Sequence, residues 1–497
     1  MQNRVDIKNF IVQIERDFLV NEWLVNGIHL WPIIRIKLFF YLIDQVESKR
    51  TDFKQNVSES TPVISTFRKK LFQIKRSFQK AKEALKFYIW KSKLPQKDYI
   101  FLGGDAHRVN YKNARFNRFF DVLISKYAIE NQSLYFEYGN QTEKNQYQPE
   151  KVYFYEKFFL GFQYLYRLKS RQVNFNWTGF SLFEDFLLSN ELTHAFILKN
   201  NKTEIENWAT FLFLPKIAFF TDVLRKIQPK QIHFLCYYSD FNYALLVAAN
   251  HTNVKTIEMQ HGPQTEIHLC YGSWTAVPKT GYDVLPREFW NWDVSSASVL
   301  NKWMQNNTNY KVKVIGNPWM DYWKVRSQSY AHKNFILYSL QPNPITLEQL
   351  FTPQLLDCIR LGNEVWFIRL HPRQMHEMAT IKDIFTKENL LDKVNIIEAT
   401  QDPLPQLLAN AKLHVTHSSG TAIEATFFGL KTILLNEIGL VSFPELIAKN
   451  QAIYIDYKDE DFVSKFKSYL TSLEKPEISP IFEQPIVSNL FPQYDCN

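Results

Sequence analysis

Residues 414–429 read HVTHSSGTAIEATFFG. An alternating apolar run ends at Thr416, two serines and a glycine follow, and an apolar pattern of helical period begins at Thr421. Strand, hydroxyl-rich turn and helix in that order mark a βα unit of a parallel sheet, with the turn at the strand's carboxyl end. The free backbone N–H groups opening the helix, with the hydroxyls of Ser418, Ser419 and Thr421 and the bare backbone of Gly420, suit a phosphate. Glu424, one turn in, is placed to reach a ribose hydroxyl. The plainer reading makes the serine an N-cap, the glycine a turn residue and Glu424 the partner in a capping box.

Working outward, the same beat recurs. Strands are expected at 334–340, 364–370, 394–398, 412–416, 431–435 and 451–455, with helical patterns between them. Upstream, a buried strand at 98–102 runs into Gly103-Gly104, and further strands are expected at 133–138, 231–238 and 254–259, with helices at 117–127 and 243–251. The fold class that follows is α/β, with two Rossmann-like domains facing a cleft and an N-terminal helical extension. The expected divisions are a helical region at 1–97, an acceptor domain at 98–325, a nucleotide-donor domain at 326–475 and a tail at 476–497. The first 95 residues read as helical, broken by a polar stretch at 47–62.

Length and composition agree with two or three globular domains: 497 residues, 45% hydrophobic and 22% charged, which argues against disorder or a fibrous repeat. Cys236, Cys270, Cys358 and Cys496 form no CxxC pair, so neither a disulfide framework nor a zinc site is indicated, and a reducing cytoplasm is expected. The opening MQNRVDIKNF lacks the pattern of a signal peptide, and no run is apolar enough for a membrane span. The net charge of +8 is concentrated. Residues 67–97 carry eleven Lys or Arg against Glu83 alone, so the remainder of the chain is near neutral. Within that segment Phe67, Leu71, Ile74, Phe78, Ala81, Leu85 and Tyr88 recur at helical spacing. A basic helix with an aromatic stripe suits an anionic membrane surface; the alternative is a helix packed on its own protein with a solvated basic back. Nucleic acid is not expected, because basic charge elsewhere does not cluster.

The other strand ends of the second half carry Gln341-Pro342 and Arg369-Leu370-His371-Pro372-Arg373. Two guanidinium forks and an imidazole there suit phosphate oxygens. In the first half, the strand ends carry Asp105, His107 and the run Glu258-Met259-Gln260-His261-Gly262.

The pair of an HP dipeptide (His371-Pro372) and a double serine (Ser418-Ser419) in a C-terminal Rossmann-like half resembles the GT-B glycosyltransferases of bacterial surface polysaccharides that use CMP-activated sugars, the capsule Kdo transferases and bacterial sialyltransferases. Gln341-Pro342 is similar to the former in particular, and VIGNPWMD at 314–321 resembles the domain junction of many GT-B enzymes. The resemblance implies that His371, Ser418 and Ser419 hold the CMP phosphate and that Glu424 stands where GT-B proteins carry a ribose-binding acid. Sialyltransferases carry an acidic D/E-D/E-G motif as base; here the comparable strand end moves that role onto His261, Glu258, or Asp105 and His107 of the earlier loop.

The expected function is transfer of a sugar from a nucleotide-activated donor, CMP-Kdo or a related CMP-sugar, to a capsule or lipopolysaccharide glycan. If transfer retains configuration, Asp105, Asp240 or Glu258 is the candidate nucleophile. Alternatives are a CDP-glycerol-type polyol-phosphate transferase, a UDP- or dTDP-sugar transferase, and a catalytically silent scaffold that binds polysaccharide. The expected partners are the nucleotide-sugar, a lipid-linked or oligosaccharide acceptor and an anionic membrane surface, with the protein peripheral on the inner face of the cell membrane. The one acidic match to a metal-binding DxD pattern, Asp459-Glu460-Asp461, lies near the C-terminus at an expected helix start, so no metal and no cofactor is expected.

Overall fold

The computed structural model describes residues 1, 3–48, 66–111, 113–139, 145–168, 171–305, 307–327, 330–341, 345–473 and 490–491; for 47–48, 66–78 and 325 it describes the backbone alone. Pro342, Cys496 and nearly all of the polar break at 47–62 lie outside these residues. In chain order the strands are β1 (Trp23–Val25), β2 (Ile28–His29), β3 (Tyr99–Gly104), β4 (Arg108–Tyr111), β5 (Ala114–Asn117), β6 (Ser133–Tyr138), β7 (Val152–Phe154), β8 (Phe175–Trp177), β9 (Gln231–Phe234), β10 (Lys255–Met259), β11 (Glu288–Asn291), β12 (Lys311–Val314), β13 (Phe335–Ser339), β14 (Trp366–Arg369), β15 (Val394–Asn395), β16 (Ala411–Thr416), β17 (Thr432–Leu434) and β18 (Ala452–Tyr454).

Two all-parallel sheets organise the molecule, one ordered β12-β11-β10-β9-β3-β6-β7 and the other β15-β14-β13-β16-β17-β18. In each, the first strand of the sheet lies inside it, the next two step to one side and the remainder to the other, which is the doubly wound order 3-2-1-4-5-6. Each sheet therefore has one point where the winding reverses. It falls between β3 and β9 in the first domain and between β13 and β16 in the second, and ligands of such sheets lie beyond the carboxyl ends of those strands. The strands read as near-continuous apolar runs because both faces are covered: β3, β9, β11 and β13 are buried throughout.

Four expectations are corrected. The first 95 residues are not purely helical, since β1 and β2 form a hairpin across Asn26 and Gly27, both at positive φ (48° and 83°), as a two-residue turn of that hand requires. Its outer partner is β8, some 150 residues on in the chain. The strand expected at 394–398 stops at Asn395, whose side chain accepts from Glu398 N–H and starts the helix Ile397–Gln401. The helix expected at 117–127 is shorter, Phe120–Lys126, because Asn117 closes β5 and its Oδ1 accepts from the N–H groups of Phe119 and Phe120. Gln374 and His371, not Glu424, form a capping box, at the turn Pro372–Glu377; Glu424 makes none.

The N-terminal helices α1 (Arg4–Asp17) and α2 (Trp31–Ser48) share one apolar core with the first sheet. A fully buried ion pair fixes them there. Arg35 Nε donates to Glu15 Oε1 (2.7 Å), its Nη2 donates to the carbonyls of Gly272 and Ser273 (3.2 and 2.9 Å), and its guanidinium lies 3.9 Å over Trp274. The segment after β10 is thus pinned by a residue 237 and 238 positions earlier in the chain.

Helix α3 (Thr66–Ser92) crosses the helix Glu156–Tyr166 at Gly161, where an added Cβ would stand 2.1 Å from the carbonyl oxygen of Glu83. That close crossing selects which face is covered: Ala84 and Phe87 are buried and Trp90 stacks on Phe158. The stripe read from the sequence is a different one. Its described members Ala81, Leu85 and Tyr88 are exposed, Leu85 by 59% and Tyr88 by 51%; its members from 67 to 78 have no described side chains. No helix among the described residues is long and apolar enough to cross a membrane.

The two domains share a further apolar cluster in which Trp319, Met320 and Trp323 meet Phe116 from the first domain and Ala422, Ile423 and Phe427 from the second. Leu490 and Phe491 join it, the Phe491 ring lying 5.2 Å from Tyr99 and 5.3 Å from His233.

Candidate active site in the interdomain cleft

At the reversal point of the second domain, the residue after β13 meets the residues after β16. Gln341 Oε1 accepts from Ser418 N–H (2.5 Å), and its Nε2 donates to Ser418 Oγ (3.3 Å). Ser419 N–H donates to Thr416 Oγ1 (3.3 Å), Thr421 N–H to Ser419 Oγ (3.3 Å), and the Ser419 and Thr421 hydroxyls are 3.0 Å apart. Most of the turn's own donors are therefore spent on holding its shape. The exception is Gly420, whose N–H finds no acceptor among the described residues. The helix it opens, Thr421–Thr426, is only six residues long, so the donor capacity of this turn lies in that N–H and in the hydroxyls rather than in a long macrodipole. Glu424 is 7% exposed, and its carboxylate has no hydrogen bond or ion pair to a described residue. Burial raises its proton affinity, opposed by the charges of Arg118 and Arg369.

His371 follows β14. Its Nδ1 accepts from Arg373 N–H (3.1 Å), which fixes the tautomer: Nε2 carries the proton and is left to donate. Burial, with Arg373 and Arg118 nearby, holds its pKa down at about 4, so the ring is a neutral donor at neutral pH. Arg369 is tied down, its Nη1 donating to the carbonyls of Ala399 (2.6 Å) and Asp402 (2.7 Å), while Arg373 is exposed to solvent.

The first domain brings its own carboxyl edge to the same place. After β3, His107 Nδ1 accepts from Gly104 N–H (3.2 Å), and its ring stands nearly perpendicular to His261 at 5.9 Å. After β10, His261 Nδ1 has no hydrogen-bond partner and lies 3.8 Å from Glu258 Oε1. Glu258 is completely buried, its oxygens accepting from Tyr271 OH (2.7 Å) and Tyr237 N–H (3.0 Å), and burial pushes its pKa up to about 8. It stands behind His261 and presents nothing to the cleft. Burial drives the pKa of His261 down to about 4 and that of His107 to about 3. Asp105 is held by Arg115, Oδ2 accepting at 2.8 Å, and Asp240 accepts from Trp208 Nε1 (2.9 Å) with Lys216 at 3.5 Å.

The two edges touch. A Cβ added at Gly420 would stand 2.8 Å from Cδ of Pro263, so the Ser-Ser-Gly turn of one domain sits directly on the His-Gly-Pro turn of the other, and glycine is what permits the approach. Gln260 fixes that turn from behind, its Oε1 accepting from Trp292 N–H (2.7 Å) and its Nε2 donating to Gly262 O and Ser296 Oγ (3.1 and 3.0 Å).

Sequence reading passed over one residue that the apposition makes prominent. Arg118, just past β5, acts electrostatically on His107 and His261 of its own domain and on Arg369, His371 and Glu424 of the other. Among the described residues it has neither a hydrogen bond nor an ion pair. Its local sequence, FNRFF, carries no motif; the signal exists only once two domains face each other. Also among the described residues, no group of three or more His, Cys, Asp or Glu side chains is arranged to hold a metal ion.

The chain matches no protein-family model and no curated protein sequence. Among solved structures it is similar to the UDP-GlcNAc 2-epimerase of Methanocaldococcus jannaschii in complex with UDP-GlcNAc and UDP (13% identity over 77% of this chain and 96% of that one, TM-score 0.46). It is similar also to the Neisseria meningitidis UDP-GlcNAc 2-epimerase bound to UDP-GlcNAc (14%, 76% and 95%, TM-score 0.43) and to Anabaena Alr3699/HepE in complex with UDP (11%, 77% and 92%, TM-score 0.38). The chemistry of the cleft rests on its own residues.

Proposed function

We propose that this chain is a glycosyltransferase that moves a sugar from a nucleotide-activated donor, a CMP-sugar of the CMP-Kdo kind, to a capsule or lipopolysaccharide glycan at the inner face of the cell membrane. The observation that carries the reading is the seating of Gly420 on Pro263, which sets a phosphate-type donor array opposite a pair of neutral histidines. The donor phosphate is met by His371 Nε2–H, Gly420 N–H and the Ser419 hydroxyl, with Arg118 facing it from the other domain, and Glu424 accepts from ribose hydroxyls. These groups stabilise the charge that grows on the phosphate as the sugar leaves.

His261 takes the proton of the acceptor hydroxyl. A base of pKa about 4 is weak, but part of that depression comes from the charge of Arg118. An anionic donor bound beside Arg118 offsets that charge and raises the proton affinity of His261, so the base gains strength when the donor is in place. Glu258, 3.8 Å behind Nδ1 and kept protonated at neutral pH by burial, offers the imidazolium so formed an oxygen rather than a charge.

The CMP preference is supported by the HP and double-serine motifs, and CDP-, UDP- and dTDP-activated donors are the competing arms of the test. Thermal unfolding of the full chain with CMP, CDP, UDP and dTDP should show the largest rise with CMP. A rise with none of the four overturns the reading; a larger rise with UDP keeps the transferase and replaces its donor. With a donor identified, sugar transfer separates an enzyme from a silent scaffold. Because phosphate charge is met by protein groups, turnover should persist in EDTA; loss restored by magnesium or manganese would refute this account of the donor site.

A further inference from the structure

A second cavity opens at the same edge of the first sheet. Its volume is about 400 Å³, and it lies between α2 and the start of the helix Asp240–His251, lined among others by Lys37, Phe40, Phe196, Tyr238 and Tyr243. It stands beyond the carboxyl end of β9, one of the two strands at the winding reversal of the first domain, where ligands of doubly wound sheets collect. A smaller cavity of about 200 Å³ continues it past Lys37 to Trp208.

Two features describe what fits. The first is aromatic: Phe40, 40% exposed, and half-buried Tyr238 lie with ring centroids 5.6 Å apart, and Tyr238 lies 6.5 Å from His261. Rings offered at a pocket wall pack against the C–H face of a pyranose, and here they form a row leading to the cleft histidine. The second is charge. The Lys37 ammonium lies 4.5 Å over the Trp208 ring and has no hydrogen bond or ion pair to a described residue, whereas Asp240, the nearby acid, is engaged by Lys216 and by Trp208 Nε1. Asp240 lines the pocket too and acts electrostatically on Lys37, but it also holds Lys216, while Lys199 and Glu204 of the adjoining cavity offset each other, so the walls keep a net positive charge over an aromatic floor.

We infer that this pocket holds an anionic sugar residue of the glycan acceptor, carboxylate or phosphate toward Lys37 and ring against Phe40 and Tyr238. Tyr238, one wall of the pocket, stands between it and His261, and Lys37 and Phe40 lie on the far side of that ring, so the residue held is not the one that reacts but a neighbour further along the chain. The inference rests on the transfer reading above and adds to it a requirement: an acceptor of more than one sugar, with an acidic residue set back from the reacting end.

Calorimetric titration of the full chain tests it with three probes: a sialyl trisaccharide and a glucuronate-containing tetrasaccharide, each beside its carboxyl-reduced counterpart, and mannose 6-phosphate beside mannose. At least one acidic probe should bind more tightly than its neutral counterpart. Preference for the carboxylates or for the phosphate identifies which anion the acceptor carries. Lys37→Gln should weaken the preferred probe about tenfold while leaving its neutral counterpart unchanged, and Phe40→Ala should weaken both. The thermal shift given by the nucleotide should be the same in both variants as in the wild type, which shows that they are folded and separates this result from the donor assignment. Equal binding of acidic and neutral forms, absence of binding by all the probes, or an unchanged preference in Lys37→Gln overturns the inference even if the nucleotide binds.

Discussion

His371 shows how much a single backbone hydrogen bond decides. With Nδ1 occupied by Arg373 N–H, the imidazole can only donate through Nε2, and its depressed pKa keeps it neutral until an anion arrives. His371→Ala and Ser419→Ala should each weaken nucleotide binding by about 1 to 3 kcal/mol, the range for a lost hydrogen bond to a charged group, with little change in unfolding temperature. Titration of the best nucleotide against both variants checks this, and unchanged affinity in both removes the phosphate from this turn. His233 illustrates the opposite case. It is fully buried, stacked 4.7 Å from Phe101, and neither ring nitrogen has a partner. Removing an unsatisfied buried imidazole should stabilise the fold, so His233→Leu is expected to gain about 1 kcal/mol in denaturant unfolding; a loss of stability would mean that the ring's packing outweighs its unpaired nitrogens.

At the scale of elements, what the sequence disclosed and what it concealed follow from how local each signal is. The alternation of strand and helix from 334 to 455, and the turns at Gln341, His371 and Ser418, are legible because a buried parallel strand and its following turn are written within a few residues. The pairing of β1 with β8 is not, since the partner is some 150 residues away, and neither is the role of Arg118, which depends on the other domain. Helix α3 is the instructive middle case. Its helical period is local, but the face it buries was chosen by Gly161 on another helix, which leaves Leu85, Tyr88 and Ile89 exposed beside Lys82 and Lys86. Lys91 is paired with Asp222 (2.6 Å). The membrane attachment that belongs to the proposed function would use the exposed side of this helix. Replacing Lys80, Lys82, Lys86 and Lys93 by Gln should release the protein from anionic liposomes while the nucleotide thermal shift survives, and wild-type flotation should fall with salt as the Debye length shortens to about 8 Å at physiological strength. Flotation of the depleted variant, or none of the wild type, refutes the attachment.

For the molecule as a whole, burial of ionisable groups sets a pH profile. His107, His233, His268, His414 and His417 are held down to about 3, and His261 and His371 to about 4, all by burial first. In the unfolded chain these rings titrate near 6.5, so between about pH 6.5 and 4 the unfolded state binds protons that the folded state refuses. Stability is therefore full above that window and falls as acid is added. Glu258, raised to about 8, and Asp121, raised to about 6, work in the other sense, favouring the fold at low pH and losing that advantage as pH rises. Glu137 and Glu424 are shifted in the same direction as these two carboxyls; the seven imidazoles outweigh the four below pH 6.5, and above it Glu258 acts against the fold, so the unfolding temperature should peak at roughly pH 6.5. A series of melts from pH 4.5 to 8.5 checks the shape, and a temperature that declines steadily from the acid end contradicts it.

The packing of Phe491 between Tyr99, His233 and Trp290 sets the order in which the protein can be finished. A ribosome delivers the first sheet long before residue 491, and domains generally fold as they emerge. The first domain must therefore wait, with an aromatic hollow open on its surface, while the second domain is made and folded, and only then does Phe491 return to close it. During that interval the exposed hollow is a surface that other chains can stick to. Completion of the first sheet's surface is in effect a signal that the second domain has been made.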